Sequence, residues 1–298
     1  MSFLSFHACV AAMIVNNRPD TLDEYLRQLT VSVKQYQWSW AMQAELRAIA
    51  LAGMPLFARG MDVAAQVAEA AARQGEALGR SDVVVVAQKI VSKAEGRQTA
   101  LAHVRVGEAA MHMAEATGRP APLVQLILDE SSAILRATPA AIITRHRTGH
   151  VLANAGIDAS NLEGSKDGQV LLWPLDPDAS ARTIRAGLAR RLDGAPAVII
   201  ADSMGRAWRI GTLGTAIGCA GLVVIDDRRG QVDLFGRSLQ ATIVAVADAI
   251  AALAVLVMGE GAEATPAAIV RGAGRWVTAG DGPGAASGLR PVAQDMFC

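Results

Sequence analysis

Aromatic residues are scarce in this chain: phenylalanine, tryptophan and tyrosine make up 4% of its 298 residues. Cysteine is scarcer still. Cys9, Cys219 and Cys298 are odd in number, lie far apart and match no metal-ligand spacing. That argues against a disulfide framework or a zinc site, and for a reducing compartment. Neither sign of charge is in excess, with 28 basic and 28 acidic side chains, so there is no electrostatic footprint for nucleic acid or an acidic membrane. No Walker-type glycine loop and no dinucleotide fingerprint is present. Nor is there a nucleophile elbow with ordered Ser, His and Asp, or a Cys/His pair. The five histidines (His7, His103, His112, His146 and His150) are scattered and read as structural or surface residues. Residues 3–15 are apolar but lack a basic n-region and a small-residue cleavage site, so a signal peptide is not expected. Residues 241–258 are nearly long enough to span a bilayer. With Asp248 in their middle and many alanines, they read instead as a buried core helix.

The most informative stretch is residues 82–97, Asp-Val-Val-Val-Val-Ala-Gln-Lys-Ile-Val-Ser-Lys-Ala-Glu-Gly-Arg. Four consecutive valines read as a strand buried on both faces. It runs into Gln88, Lys89, Ser92, Lys93, Glu95, Gly96 and Arg97. Two lysines at this spacing can address two oxygens of one polyphosphate, with Gly96 letting the backbone come close. A strand end followed by a solvated basic turn is the other reading.

Around it the chain alternates helical and strand patterns. Thr21-Leu-Asp-Glu24 is a capping box before Leu22, Leu26, Leu29 and Val33 at helical spacing, followed by Trp38 and Trp40. Residues 1–45 are therefore expected to be a helical extension, and 46–298 the functional domain. Gly53-Met-Pro-Leu56 reads as a turn leading into a strand, and residues 63–77 as a helix capped by Asp62. Residues 106–117 and 122–136 read as helices parted by Gly118-Arg-Pro120. Strands are expected at 141–144, 150–153, 171–173, 197–201, 222–225 and 267–271. Asp176 is the expected cap of a helix beginning at Pro177. Residues 211–221 form a glycine-rich run, and residues 258–266 a flexible loop bearing Glu260 and Glu263.

Asp158, Asp202 and Glu260 each follow an apolar element and are expected on loops. Magnesium and manganese take carboxylate oxygens together with substrate phosphate oxygens. Three acids and two lysines are the toolkit of phosphoryl transfer. The Asn154–Asn161 segment, which carries Asp158, also reads as a plain Asx-rich turn.

Read together, these segments resemble the coenzyme F420-0:L-glutamate ligase family. They are Gly53-Met-Pro-Leu56, residues 87–97, Ala153-Asn-Ala-Gly-Ile-Asp-Ala-Ser-Asn161 and Pro174-Leu-Asp-Pro-Asp-Ala-Ser180. Ala201-Asp-Ser-Met-Gly-Arg206, Asp233-Leu-Phe-Gly-Arg237, Met258-Gly-Glu260 and Ile269-Val-Arg-Gly272 complete the set. The resemblance covers about residues 50–298 and leaves residues 1–45 without a family counterpart.

It implies an α+β fold with mixed sheets flanked by helices, in an intimate cytoplasmic homodimer. It also implies a GTP-dependent ligase joining L-glutamate to the F420-0 carboxylate through an acyl phosphate, with further γ-linked glutamates in many members. Lys89, Lys93 and Asp202 would be catalytic. Gly53, Met54, Pro55, Leu56, Gln88, Asn161, Met258, Gly259, Gly261 and Thr265, with both lysines, would hold GTP. Asp158, Asp202, Ser203 and Glu260 would hold two magnesium or manganese ions, with potassium a further candidate cation. No nucleic acid or membrane partner is implied.

Some positions depart from the family pattern: Ser203 for threonine, Met61 for aspartate, Arg228 for an aromatic, Ser238 for glutamate, and Ala249 and Val255 for acids. These leave room for a ligase acting on another carboxylate. A catalytically silent nucleotide-binding subunit is the remaining alternative.

Overall fold

The computed structural model describes residues 45–295, apart from 164, 165 and 167. The expected capping box and helix of residues 21–33 lie outside the described residues.

In chain order the strands are β1 (Arg47–Ala50), β2 (Val83–Ala87), β3 (Gln98–Ala100), β4 (Ser131–Ala137), β5 (Ile142–His146) and β6 (Val151–Ala153). They continue with β7 (Gln169–Leu171), β8 (Ala197–Arg206), β9 (Arg209–Ala220), β10 (Ile225–Asp227), β11 (Ile243–Ala245) and β12 (Ala267–Arg271). The helices are α1 (Val63–Arg73), α2 (Gln88–Ala94), α3 (Glu108–Thr117), α4 (Ala121–Asp129), α5 (Pro177–Ala189) and α6 (Val246–Met258).

The central sheet has the order β1-β12-β2-β8-β9. Only β2 and β8 run parallel; the other neighbours are antiparallel. This is the mixed α+β architecture expected. The valine run explains its middle. Alternate residues of a strand face opposite ways. Val84 and Val86 join one core with Val198, Ile200 and Ile269, under Val67 of α1, Ile90 of α2 and Leu188 of α5. Val83 and Val85 join the other with Ile199 and Val270, under Ile250 and Ala254 of α6. Both faces are covered, which is why the strand reads as an unbroken apolar run. A three-stranded sheet β4-β5-β6, the β3–β7 and β10–β11 pairs, and helices α3 and α4 complete the described chain.

Asp62 accepts from the Ala65 amide at 3.0 Å, and Asp176 from the Ala179 amide at 2.9 Å, so both caps stand as expected. Several expectations are corrected. The helix expected over 122–136 ends at Asp129; residues from Ser131 pair with β5 instead. The strand expected after Gly53-Met-Pro-Leu56 lies before it, as β1. The glycine-rich run is the long strand β9, and Gly218 shows why: a Cβ there would collide with the Pro177 carbonyl at the start of α5. Gly96 accommodates the Arg59 side chain, 2.8 Å from where its Cβ would be, and does not line the cavity described next. Residues 241–258 divide into β11 and α6, and Asp248 accepts the Ala216 amide at 3.0 Å. Among the described residues no helix is long and apolar enough to cross a membrane.

Candidate active site

The sheet register brings four segments to one end. Ala87 at the end of β2 pairs with Ala201 of the parallel β8, so Gln88 and Lys89 leave the sheet beside Asp202 and Ser203. The antiparallel β12 begins there, at Ala267 opposite Val86, and brings the loop that precedes it. Ala50 at the end of β1 pairs with Ala268, which leads Gly53–Leu56 to the same edge. The crevice beyond the carboxyl ends of parallel strands is where open α/β sheets hold ligands.

A cavity of about 540 Å³ lies there. Met54, Pro55 and Leu56 line one side, and Gln88, Lys89 and Lys93 another. Asp202, Ser203 and Asn161 face it, with Met258, Gly259, Glu260, Gly261 and Thr265 closing the remaining wall. Two expected residues are not in the lining. One is Gly53, exposed next to Met54, its carbonyl accepting from Arg73 at 3.0 Å. Asp158 is one contact away, through Lys89. Phe57, Leu162 and Glu263 line the cavity without having been singled out for it.

Residues 88–94 form the helix α2 rather than a turn, so Lys89 and Lys93 fall four apart on one face. Gln88 is anchored below, donating to Ser92 Oγ at 2.6 Å. Lys89 Nζ lies 2.6 Å from Asp158 Oδ2 and donates to Ser160 Oγ at 2.9 Å. Ser160 in turn donates its amide to Asp158 at 2.6 Å and its hydroxyl at 3.0 Å. Burial pushes the Asp158 carboxyl up, but the hydrogen bonds from Lys89 and Ser160 outweigh it and hold the group below the usual range.

Lys93 Nζ donates to the Asn161 carbonyl at 2.8 Å, and Asn161 Nδ2 donates to the Gly261 carbonyl at 2.8 Å. Burial lowers the Lys93 pKa, Lys89 lowers it further, and Glu163 opposes them.

Asp202 is within strand β8, not on a loop as expected. Its Oδ2 accepts from Trp173 Nε1 at 2.8 Å, and its Oδ1 from the Ser203 amide at 2.9 Å. Burial raises its pKa to about 6, against the two N–H donors and Lys89; the nearby Asp158 charge adds to the rise.

The expected ligands divide between two places, Asp158 with Asp202 and Ser203 with Glu260. Among the described residues no group of three or more His, Cys, Asp and Glu side chains is placed to hold a metal ion. Asp158 and Asp202 are nonetheless within electrostatic reach of each other, with the Lys89 ammonium acting on both. Two carboxylates and Ser203 fit a hard cation that fills its shell with ligand oxygens and water rather than a self-sufficient protein cage. Glu260 is exposed on the facing loop.

The histidines expected to be scattered include a buried pair. His146 and His150 flank the Trp173 ring, with Thr148 Oγ1 at 2.8 Å and 2.9 Å from their Nδ1 atoms. Glu130 meets Arg97 at 2.7 Å and Arg147 at 3.0 Å. Burial acts upward on Glu130, but the nearby His146 ring, the hydrogen bond from Arg97 and the two arginine charges bring its pKa down to about 2. Burial lowers His150 to about 4.

Both shifts predict loss of stability in acid. Below pH 6.5 the unfolded chain protonates His150 while the folded chain does not until about 4. Glu130 contributes stability above its ordinary 4.5, lost as pH falls toward about 2. The thermal midpoint is expected to fall from pH 6.5 downward, and Glu130→Gln to cost roughly 3 kcal/mol at pH 7 by leaving the partly buried Arg97 without its carboxylate. Unfolding curves across that range check this; a flat profile contradicts it.

The family model described as F420-0:Gamma-glutamyl ligase matches residues 53–272. The "Coenzyme F420:L-glutamate ligase" of Methanothermobacter thermautotrophicus is 45% identical over 249 residues, 84% of this chain and 97% of that protein. The protein of the same name from Methanopyrus kandleri is 42% identical, covering 80% of this chain and 92% of its own. That from Archaeoglobus fulgidus is 41% identical, covering 74% and 85%. The matched span contains every cavity segment described above, and the chain belongs to the F420-0:gamma-glutamyl ligase family.

Proposed function

We propose that the chain is a GTP- and divalent-metal-dependent ligase that joins L-glutamate to coenzyme F420-0 through an amide bond. The observation that carries this reading is the cavity itself: two lysines of one helix face meet the Asp202 carboxylate at the carboxyl end of the parallel strand pair, with Asp158 held just behind the lining by Lys89. Lys89 and Lys93 would hold triphosphate oxygens. The backbone of Gly53–Leu56, Asn161 and the loop of Gly259, Gly261 and Thr265 would contact the rest of the nucleotide. Asp158, Asp202, Ser203 and Glu260 would ligate two magnesium or manganese ions, with potassium a further candidate. When bound, such ions supply neutralisation of the charge that develops on the phosphates.

The acceptor carboxylate oxygen attacks the γ-phosphorus and GDP leaves with the former bridging oxygen. The glutamate amine then attacks the acyl carbon and phosphate departs. A proton is released as the amide forms. The buried apolar side chains of Phe57 and Met258 in the cavity lining would help protect the activated acyl group from hydrolysis.

A homodimer in the cytoplasm belongs to the same reading. Trp208, Ile210, Leu234 and Phe235 are each at least 88% exposed, which supports a covered face in solution.

The test is a coupled assay for GDP release with GTP, manganese or magnesium, L-glutamate and F420-0, with mass spectrometry of the product. A product heavier by glutamate units supports the proposal and counts the residues added. GDP release only with another acid would replace the acceptor. Tight GTP binding without turnover on any acid would overturn the enzymatic reading.

A further inference from the structure

Trp173 is fully buried, yet its one polar atom faces the cavity's deepest carboxylate. An indole N–H can only donate, and here it donates to Asp202 Oδ2 at 2.8 Å. A core position filled for packing alone has no need of a buried donor, since an apolar ring carries no polar atom to satisfy.

Three sets of contacts fix the indole. The rings of His146 and His150 lie on it with centroids 4.9 Å and 5.5 Å away. Arg97 Nε donates to the Trp173 carbonyl at 2.8 Å, and Arg97 is itself held by Glu130 at 2.7 Å. Gly156 supplies the third: at φ +69°, a Cβ there would collide with the indole nitrogen, so only glycine leaves the ring where it is.

The result bears on Asp202 alone. Its two oxygens are each held by one neutral donor, Trp173 Nε1–H and the Ser203 amide. A carboxylate offers about four acceptor directions, so both oxygens keep capacity toward the cavity. Neutral donors orient the group without spending its charge.

We propose that Trp173 is a positioning residue for Asp202, its N–H turning the carboxylate toward the cation that accompanies the nucleotide, and that the Arg97, Glu130, His146 and His150 cluster holds the indole for this purpose. The inference rests on the functional reading above.

Trp173→Phe in the full chain keeps an aromatic ring against the histidines and deletes the donor. Two affinities are measured: GTP without metal, and manganese with GTP bound. Removing a group that orients a metal ligand typically costs 10–100-fold in metal affinity. The expected result is manganese affinity weakened about tenfold with the metal-free GTP affinity unchanged. Equal weakening of both would show a purely structural role and overturn the proposal, as would no weakening of either. If the wild-type chain itself fails to bind manganese with GTP, the functional reading falls and this inference with it.

A measurement on the wild-type ring covers the case in which the variant does not fold. In nitrogen-15 spectra of the indole N–H groups, Asp202→Asn is expected to move one indole proton upfield, because a charge-assisted bond becomes a neutral one, or is lost where the amide turns its Nδ2 toward the indole. No indole signal moving would overturn the proposal.

Discussion

Replacing Asp202 with asparagine is expected to lower GDP release by about 10³-fold, the scale on which removal of one preorganised electrostatic group acts, with little net change in thermal stability. The two halves of this expectation come from the same geometry. Asp202 occupies strand β8 opposite Thr215, so the amide, equal in shape, meets the same backbone. Burial has raised the carboxyl to about 6, so that keeping it ionised at neutral pH costs the folded state stability relative to the unfolded chain. An acid whose folded pKa exceeds its ordinary 3.8 is a liability above that pH. The neutral amide removes the liability but offers only one acceptor oxygen to the two donors, Trp173 Nε1–H and the Ser203 amide, so the two effects oppose each other and the melting temperature is expected to stay near that of wild type. Activity falling while stability holds is the mark of a group kept for chemistry. Activity within twofold of wild type, with manganese affinity unchanged, would show that Asp202 is not a metal ligand.

What could be read from the sequence follows from how local each signal is. Val83 to Val86 declare a doubly covered strand because burial on both faces suppresses alternation. Asp62 and Asp176 declare helix starts because their partners, Ala65 and Ala179, lie three residues on. Residues 131–137 were misread for the opposite reason. Leu128, Ile134 and Leu135 continue a helical-looking spacing, and only pairing with β5, formed across a turn, decides otherwise. Gly214 and Gly218 hid β9 within a glycine-rich run. Their smallness instead admits close contact with α6 at Ala251 and α5 at Pro177.

The candidate site divides in the same way. Lys89 and Lys93 were legible because they share one short stretch with the valine strand. Asp202 was found by motif but misplaced on a loop, since nothing local says that a strand continues past a charged residue. Trp173 could not be assigned its role at all: its partner is 29 residues away in sequence. His146 and His150 passed as scattered because their shared neighbour, Thr148, gains meaning only once the Trp173 ring lies against both imidazoles.

Lys93→Met is expected to reduce kcat/KM for GTP by about 10²-fold, the upper end of what one charge-assisted hydrogen bond is worth. The two lysines are not equivalent. Lys89 is already neutralised by Asp158 at 2.6 Å. Among the described residues Lys93 has no carboxylate within ion-pair distance; its ammonium rests on a carbonyl, that of Asn161. Burial and the Lys89 charge lower its pKa, so the folded protein holds this cation at a cost that a bound polyphosphate would offset. The sign then fixes the pH dependence. The charged lysine binds the anion, and that contribution is lost as pH rises through the lowered pKa. Wild-type KM for GTP should therefore climb toward alkaline pH, with proton uptake on binding, and the methionine variant should show neither. Because methionine keeps the apolar stem and removes a desolvated charge, its melting temperature should match or exceed that of wild type. A variant with wild-type KM for GTP at every pH would remove Lys93 from the nucleotide site and leave the phosphates to Lys89.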